Sequence, residues 1–558
     1  MPDRTLRAAA AVAAAILFFA LAPACKKEPP APSDTETVGV KEAGRTVVPV
    51  NQVVTPAGIQ VPLPGMRPQA IALSPDGRLL VVAGKTHELV VLDPATGEVR
   101  QRVALPAEAL NAPGPGAASD NILEPDDKGQ LSYTGLVFSP GGRRIYLSNV
   151  DGSVKVFKVG ADGAVAPDRT IPLPPAGAPR REEEIPAGLA LTEDGRRLFV
   201  CGNLSNRLLE MDADTGAVLR AFDVGVAPFD VVLARGKAYV SNWGGRRPGP
   251  DDLVGPAGRG TVVRVDPVRH IASEGSVSVV DLATGALKAE IMVHLHASAL
   301  ALSPDGRHLV CANAAADNLS VIDTSTDAVV ETVWAKAGPA DLFGASPNAL
   351  AFAPDGRTLY VANGTQNAVG VVAFAPRRQR SRLRGLIPSG WFPGALAYDA
   401  GRRTIAVANI KGHAVEPQVY RPTGAPGLNS HHYHGSVSLV PVPGKRDLKR
   451  LSSVVYDNYR RGRIDEAARP PRPGQPARPV PERIGEPSVF KHVVYVIKEN
   501  RTYDQVLGDV AAGNGDPSLC VFGEAVTPNQ HKLVREFVLL DNTYCSGILS
   551  ADGHQWST

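Results

Sequence analysis

From residue 46 to about residue 445 the chain repeats one pattern of apolar and polar positions. An apolar stretch of strand length runs into a tight turn, a second stretch alternates and often ends in Asn, and after a gap a third ends in Asp. The first turns are Ser74-Pro75-Asp76-Gly77, Ser139-Pro140-Gly141-Gly142, Thr192-Glu193-Asp194-Gly195, Ala234-Arg235-Gly236, Ser303-Pro304-Asp305-Gly306, Ala353-Pro354-Asp355-Gly356 and Asp399-Ala400-Gly401, seven in all. In these turns Pro sets the first torsion, Asp caps the turn and Gly takes the positive torsion that closes it. The stretches that follow, such as Ala238-Tyr239-Val240-Ser241-Asn242 and Leu359-Tyr360-Val361-Ala362-Asn363, carry the period-2 signal of β-structure. Third stretches such as Ser278-Val279-Val280-Asp281 and Ser320-Val321-Ile322-Asp323 lead into a second turn, Ala283-Thr284-Gly285 or Ser325-Thr326-Asp327. A few short strands cannot bury a core alone, but strands stacked radially as blades bury one between neighbouring sheets.

These units resemble the YVTN-type β-propeller repeat family, most plainly at Tyr360-Val361-Ala362-Asn363. The resemblance spans roughly residues 46–445 and implies a mainly β chain with a seven-bladed β-propeller. It says little about function, because propellers host many. The apolar stretch Thr46 to Val54 is expected to add a strand to the last blade near Ser436 to Val440 and so close the ring, which removes exposed edges.

Composition adds boundaries. The 558 residues exceed one ordinary core, and 55 Gly with 49 Pro favour turns and short strands. A net charge of +3 is small for this length and gives no reason to expect nucleic-acid binding, which usually needs a clustered basic face. The basic runs Arg377 to Arg384 and Lys445 to Arg450 read as solvated loops. The N-terminus has the parts of an export signal: Arg4 and Arg7, then the apolar run Ala8 to Leu21. Ala22-Pro23-Ala24-Cys25 resembles a lipobox, which would make Cys25 a lipidated N-terminus anchored to membrane; the alternative is a plain secretory signal cut after Ala24. Residues 26–45 then read as a disordered tether. The expected location is the periplasm or the outer membrane.

Other candidates have quiet readings. Cys201 and Cys311 read as packing, while Cys520 and Cys545 can pair in an oxidising compartment. His431, His432 and His434 have no carboxylate or Cys near them in sequence and read as a polar loop rather than a metal site. His294 and His296 straddle Leu295 at strand spacing, which places both on one face in a pore-facing or satisfied structural role. The insertion Gly244 to Gly260, with Asp251-Asp252, reads as a solvated excursion.

Residues 446–490 are rich in Pro and Arg and read as a linker. The pattern then changes. Lys491-His492-Val493-Val494-Tyr495-Val496-Ile497 is a continuous apolar run of the kind buried in a parallel sheet, and it leads into Lys498-Glu499-Asn500-Arg501-Thr502-Tyr503-Asp504. A carboxylate beside an amide at a strand's C-terminal end supplies hard oxygen ligands where open α/β sheets place their sites. This segment resembles the phosphoesterase family of the alkaline-phosphatase superfamily, on Glu499 to Asp504, Thr527-Pro528-Asn529-Gln530-His531, Phe537-Val538-Leu539-Leu540-Asp541-Asn542 and Ser550-Ala551-Asp552-Gly553-His554.

The resemblance implies that residues 491–558 are the N-terminal fragment of an α/β alkaline-phosphatase-like domain. It implies a divalent metal ion held by Glu499 and Asn500, and a nucleophilic hydroxyl on Ser550, with Ser546 and Ser557 as competitors. His554 would bind substrate phosphate or support the site, while Arg501 and Asp504 would order the loop beneath the ligands. The family's remaining acidic and histidine ligands do not occur before Thr558, so the sequence reads as part of a longer protein. The implied activity is hydrolysis of phosphate esters. The alternative is a non-catalytic propeller that binds or scaffolds at the cell envelope.

Overall fold

A computed structural model of the chain describes residue 36, residues 39–106, 135–412, 418–419, 426–427, 434–541 and residue 543, apart from 43, 49, 51, 86–87, 180, 258–260, 343 and 499–500. These residues form seven four-stranded antiparallel sheets. The first strands, beginning with Arg67–Leu73 and ending with Pro393–Asp399, touch one another in cyclic order, and the last touches the first again. Radial sheets around such a ring make a β-propeller, and the core lies between adjacent sheets: Leu80, Val82, Val90, Leu92, Ala408, Val437 and Leu439 form one such seam.

The seven turns link the first and second strands of each sheet. At the first, Ser74 Oγ donates to Asp76 Oδ1 (2.7 Å) and accepts from the N–H groups of Arg78 and Leu79. The Ser74 bond, and after it those from Arg78, hold the Asp76 carboxyl down at about 2. Gly77 takes a φ of 68°. The seventh turn departs from expectation: the positive torsion falls on Arg403, with φ 52°, not on Gly401. The Asn that ends the second strand ties it to the third. Asn242 Nδ2 donates to Ser276 and Ser278, Asn313 Nδ2 to Asn318 and Ser320, and Asn409 Nδ2 to Ser436 and Ser438.

Ring closure differs from the expected arrangement. The strand that completes the last sheet is Ile59–Leu63, paired antiparallel with Gly435–Pro441. Thr46 to Val54 instead folds as a hairpin, Arg45–Val48 against Gln52–Val54, in a separate three-stranded sheet with Gly39–Glu42. Burial explains the choice. Ile59–Leu63 alternates, sending Val61 and Leu63 into the seam, whereas Val47, Val48, Val53 and Val54 are all buried and suit a plug rather than a half-exposed outer strand. The hairpin covers one sector of the ring's end. Val48 and Val54 pack on Trp391, Phe392 and Ile410, and Gln52 exchanges hydrogen bonds with Thr365 and Asn367.

The stretch read as a linker begins as structure. Lys445–Asn458 is a helix (α1), so the basic run Lys445 to Arg450 is helical rather than loop. Leu448, Leu451 and Val455 lie on one face, at the spacing that packs a helix against a sheet. Ser452 Oγ accepts from Leu386 N (2.9 Å) on the outer strand of the sixth sheet, and Gly385 leaves room: a Cβ there would lie 2.5 Å from Ser452 Oγ. A second helix, Arg461–Ala467 (α2), follows, and Arg461 pairs with Asp341 at 2.5 Å. Arg472 with Glu486 and Arg483 with Glu466 order the Pro-rich part. The insertion after Gly244 also has structure, a hairpin of Val254–Ala257 and Thr261–Arg264.

Beyond the helices, the apolar run Lys491 to Ile497, read as a buried strand, is not a strand, and neither is the second apolar run, Phe537 to Leu540. Val493 and Val494 are 83% and 88% exposed, and Phe537, Val538 and Leu540 are exposed as well. A buried parallel strand needs hydrogen-bonded neighbours and cover on both faces, and the described residues provide neither, so the α/β sheet is absent among them. Two short helices form there, Tyr503–Leu507 (α3) and Pro528–Glu536 (α4).

Candidate functional site

Cys25, Glu499, Asn500, Ser550 and His554 lie outside the described residues, as do His431, His432 and Cys545. What surrounds the Glu499–Asn500 position is described from Arg501 onward. Thr502 starts α3 with a capping box: its hydroxyl accepts from Gln505 N, and Gln505 Oε1 accepts from Thr502 N (3.1 Å). Arg501 lies over the Phe522 ring, 5.2 Å from its centre. Asp504 Oδ1 accepts from Asp516 N (2.7 Å), and Asp541 Oδ2 accepts from Asn514 N (2.8 Å).

One loop, Gly513 to Asp516, is therefore held by carboxylates that follow each of the two apolar runs. Its glycines are needed for the approach: a Cβ on Gly513 would lie 2.1 Å from the Tyr503 hydroxyl. Burial, and then the negative charges of Asp541, Asp504 and Asp509, raise the Tyr503 pKa. The residues after both runs thus share one neighbourhood. Among the described residues, no three His, Cys, Asp or Glu side chains are grouped to hold a metal ion.

A second constellation sits on the ring. Trp243 directly follows the second strand of the fourth sheet, as Ile410 does in the seventh. Each donates its N–H to the residue before the first strand of its own sheet, Trp243 to Ala227 and Ile410 to Phe392. Both mark the same end of the ring. The N-terminal sheet covers Ile410 there, while Trp243, Phe229 and His296 stay half-buried in another sector. Trp243 packs on His296 with centroids 4.8 Å apart and on Phe229 at 6.2 Å.

His294 and His296 do not share a strand face, contrary to the spacing. His296 sits between strands with φ 55°, which breaks the alternation, and His294 is exposed. The half-buried His296 imidazole has no hydrogen-bond partner among the described residues, and burial pushes it down to about 4, so it is neutral at pH 7. His434, by contrast, accepts from Gly65 N at 2.8 Å.

Next to Phe229, Asp230 occupies a position held by Gly188, Ala299, Ala349 and Ala395 in other sheets. Its carboxylate accepts from Leu300 N and Val231 N, both at 2.9 Å. Leu300 N is available because the fifth sheet's pairing slips between Ala297 and Leu300. Burial outweighs those two bonds and lifts the Asp230 carboxyl to about 7. Reading the sequence unit by unit missed this cluster. Its signal lay in aligning the units, where Phe229, Asp230 and Trp243 replace smaller or uncharged residues.

Comparison with known proteins is sparse. No protein-family description and no curated protein matches the chain. Solved structures do. Hydrazine synthase of Kuenenia stuttgartiensis is 17% identical with a TM-score of 0.45, covering 63% of this chain and 94% of that one. U3-55K and the WD40 repeats of RRP9 are each 10% identical with TM-scores of 0.47, covering 69% of this chain and 98% and 97% of theirs. With scores below 0.5, these likenesses add nothing to the topology described above.

Proposed function

We propose that the protein is an exported, lipid-anchored phosphoesterase whose seven sheets are the blades of a seven-bladed propeller, with the hydrolytic site in the C-terminal segment. The supporting observation is the convergence of the residues after the two apolar runs, Tyr503-Asp504 and Asp541, around one glycine-bearing loop. In this reading Glu499 and Asn500 hold a divalent ion, which supplies charge neutralisation at the phosphoryl group when bound. Ser550 is the attacking hydroxyl and His554 binds a phosphate oxygen. The capping box at Thr502 fixes the backbone directly after the acid–amide pair.

The test uses the protein and a chromogenic phosphate ester with Mn²⁺, Ca²⁺ or Zn²⁺. Ser550→Ala and Glu499→Gln are each expected to lose at least about a hundredfold in rate, with unchanged circular dichroism. Hydrolysis at wild-type rate by both variants, or none by the wild type with any of the three ions, would refute the reading.

The half-buried shelf of Phe229, Trp243 and His296 favours a second reading, a propeller that binds rather than cleaves. Flat aromatic faces beside a neutral imidazole suit an uncharged ring bearing hydroxyls, because the imidazole can both donate and accept. Glucose, galactose and their disaccharides are the probes. At least one is expected to change tryptophan fluorescence saturably, and Trp243→Ala should abolish the change. A response that survives in that variant, or none with any sugar, removes the shelf from consideration.

A further inference from the structure

His531 is only 1% exposed, the one buried residue of α4. Its ring lies between α4, the turn that follows α3, and the segment leading into α4. Nε2 is 2.7 Å from Asp509 Oδ1, and Nδ1 is 2.9 Å from the Thr527 carbonyl oxygen and 3.1 Å from Thr527 Oγ1. A carbonyl oxygen can only accept, and so can an ionised carboxylate. The Thr527 hydroxyl hydrogen is directed elsewhere, to the Phe522 carbonyl at 2.6 Å. A neutral imidazole has one N–H. In either tautomer it would leave one ring nitrogen with its lone pair against an oxygen, inside a closed site where an unmade bond is costly.

We infer that His531 is carried as a buried imidazolium, and that its second proton is the clasp fastening the turn at Asp509 to helix α4. The inference stands on this geometry and survives failure of the phosphoesterase reading.

The charges facing the ring agree with it. Asp509 approaches from the turn after α3. Glu524 approaches from the segment before α4 and is itself paired with Arg535 of α4. The Cys520 thiol lies beside Asp509, and burial raises its pKa, so it brings no charge. Burial of His531 works against its charge. The bonds to Asp509 and Thr527, with the charges of Asp509 and Glu524, more than offset it and hold the imidazole above its ordinary value. A histidine whose pKa is raised by folding contributes stability that is complete below the ordinary value, near 6.5, and is lost as pH rises through the higher folded value. The clasp is therefore closed in mild acid and loosens toward alkaline pH.

Hydrogen exchange of the full chain, read by mass spectrometry from pH 6 to 9 and expressed as protection relative to intrinsic rates, tests this. In peptides covering 505–511 and 527–536 the local opening constant is expected to rise by up to about tenfold per pH unit between the ordinary imidazole value and the raised folded one, and to level off above it. Peptides of the fifth sheet should show no such rise. His531→Gln should leave both segments poorly protected at every pH. Asp509→Asn, a change at the rim of the site, should move the loss of protection to lower pH. Nitrogen chemical shifts of ¹⁵N-histidine-labelled protein, assigned by the missing signal in His531→Gln, should show the imidazolium at pH 6. A neutral tautomer at pH 6, flat wild-type protection from pH 6 to 9, or an unmoved transition in Asp509→Asn would overturn the inference.

Discussion

Replacing Leu63 with aspartate is expected to destabilise the protein by at least about 4 kcal/mol, through loss of the leucine's burial and insertion of an unpartnered carboxyl into a closed seam. Leu63 is fully buried in the cluster with Leu80, Val90 and Val437, at the end of the strand that joins the last sheet to the beginning of the chain. Without that strand, Gly435–Pro441 becomes an outer edge with open hydrogen-bonding groups. Gly435 itself leaves no room for rearrangement, since a Cβ there would lie 1.9 Å from Pro68 Cδ. Ile59→Asp on the same strand is the control. Ile59 is 47% exposed, so that change should stay within about 0.5 kcal/mol. Denaturant unfolding followed by circular dichroism compares the two variants. Equal midpoints would show that Ile59–Leu63 is not what closes the ring.

The second large effect is hidden in the wild type and appears only in variants. Asp230 has its carboxyl lifted to about 7, so between pH 4 and 7 the folded protein holds a proton that the unfolded chain has lost. Stability from this group falls as pH rises across that window. His296 is pushed down to about 4, so between pH 4 and 6.5 the unfolded chain holds a proton that the folded protein lacks. Stability from this group rises with pH. Between pH 4.5 and 6.5 each amounts to about 2 kcal/mol, and the two oppose one another. Carboxylates held low by the turns, such as Asp76, are ionised in both states over most of this range.

The wild type should therefore show a shallow pH dependence over that interval. His296→Gln should lose stability on going from pH 4.5 to 6.5, by about the 2 kcal/mol that Asp230 contributes. Asp230→Asn should gain a similar amount over the same interval. Identical slopes in wild type and both variants would mean that neither group is shifted by burial.

The repeat, its turns and its alternation were legible because each is a local matter. The Ser-Pro-Asp-Gly turn closes with its own side chains, as the Ser74 and Asp76 bonds do. The terminal Asn reaches only the neighbouring strand, as Asn242 reaches Ser276 and Ser278. Choosing the closing strand needed more. Thr46 to Val54 and Ile59 to Leu63 are both apolar and lie close together in the chain, and only the packed ring distinguishes a segment buried on all sides from one buried on alternate residues.

The candidate sites divide along the same line. The acid–amide pair Glu499–Asn500 and the hydroxyl of Ser550 are expectations drawn from a run of residues that resembles a known family, and they lie outside the described residues. The strand expected beneath that pair was not assured by apolarity, because Val493 to Ile497 become a strand only where another strand pairs with them. Phe229, Asp230 and Trp243 belong to the fourth sheet and its loops and His296 to the link into the fifth, over 50 residues on, and His531 meets Asp509 from 22 residues away. Within the repeat, local chemistry along the chain was enough to specify most strands and their turns. Which apolar segment seals the ring, which carboxyl keeps its proton and which imidazole is charged depend on burial and on partners distant in sequence, and those exist only once the chain has packed.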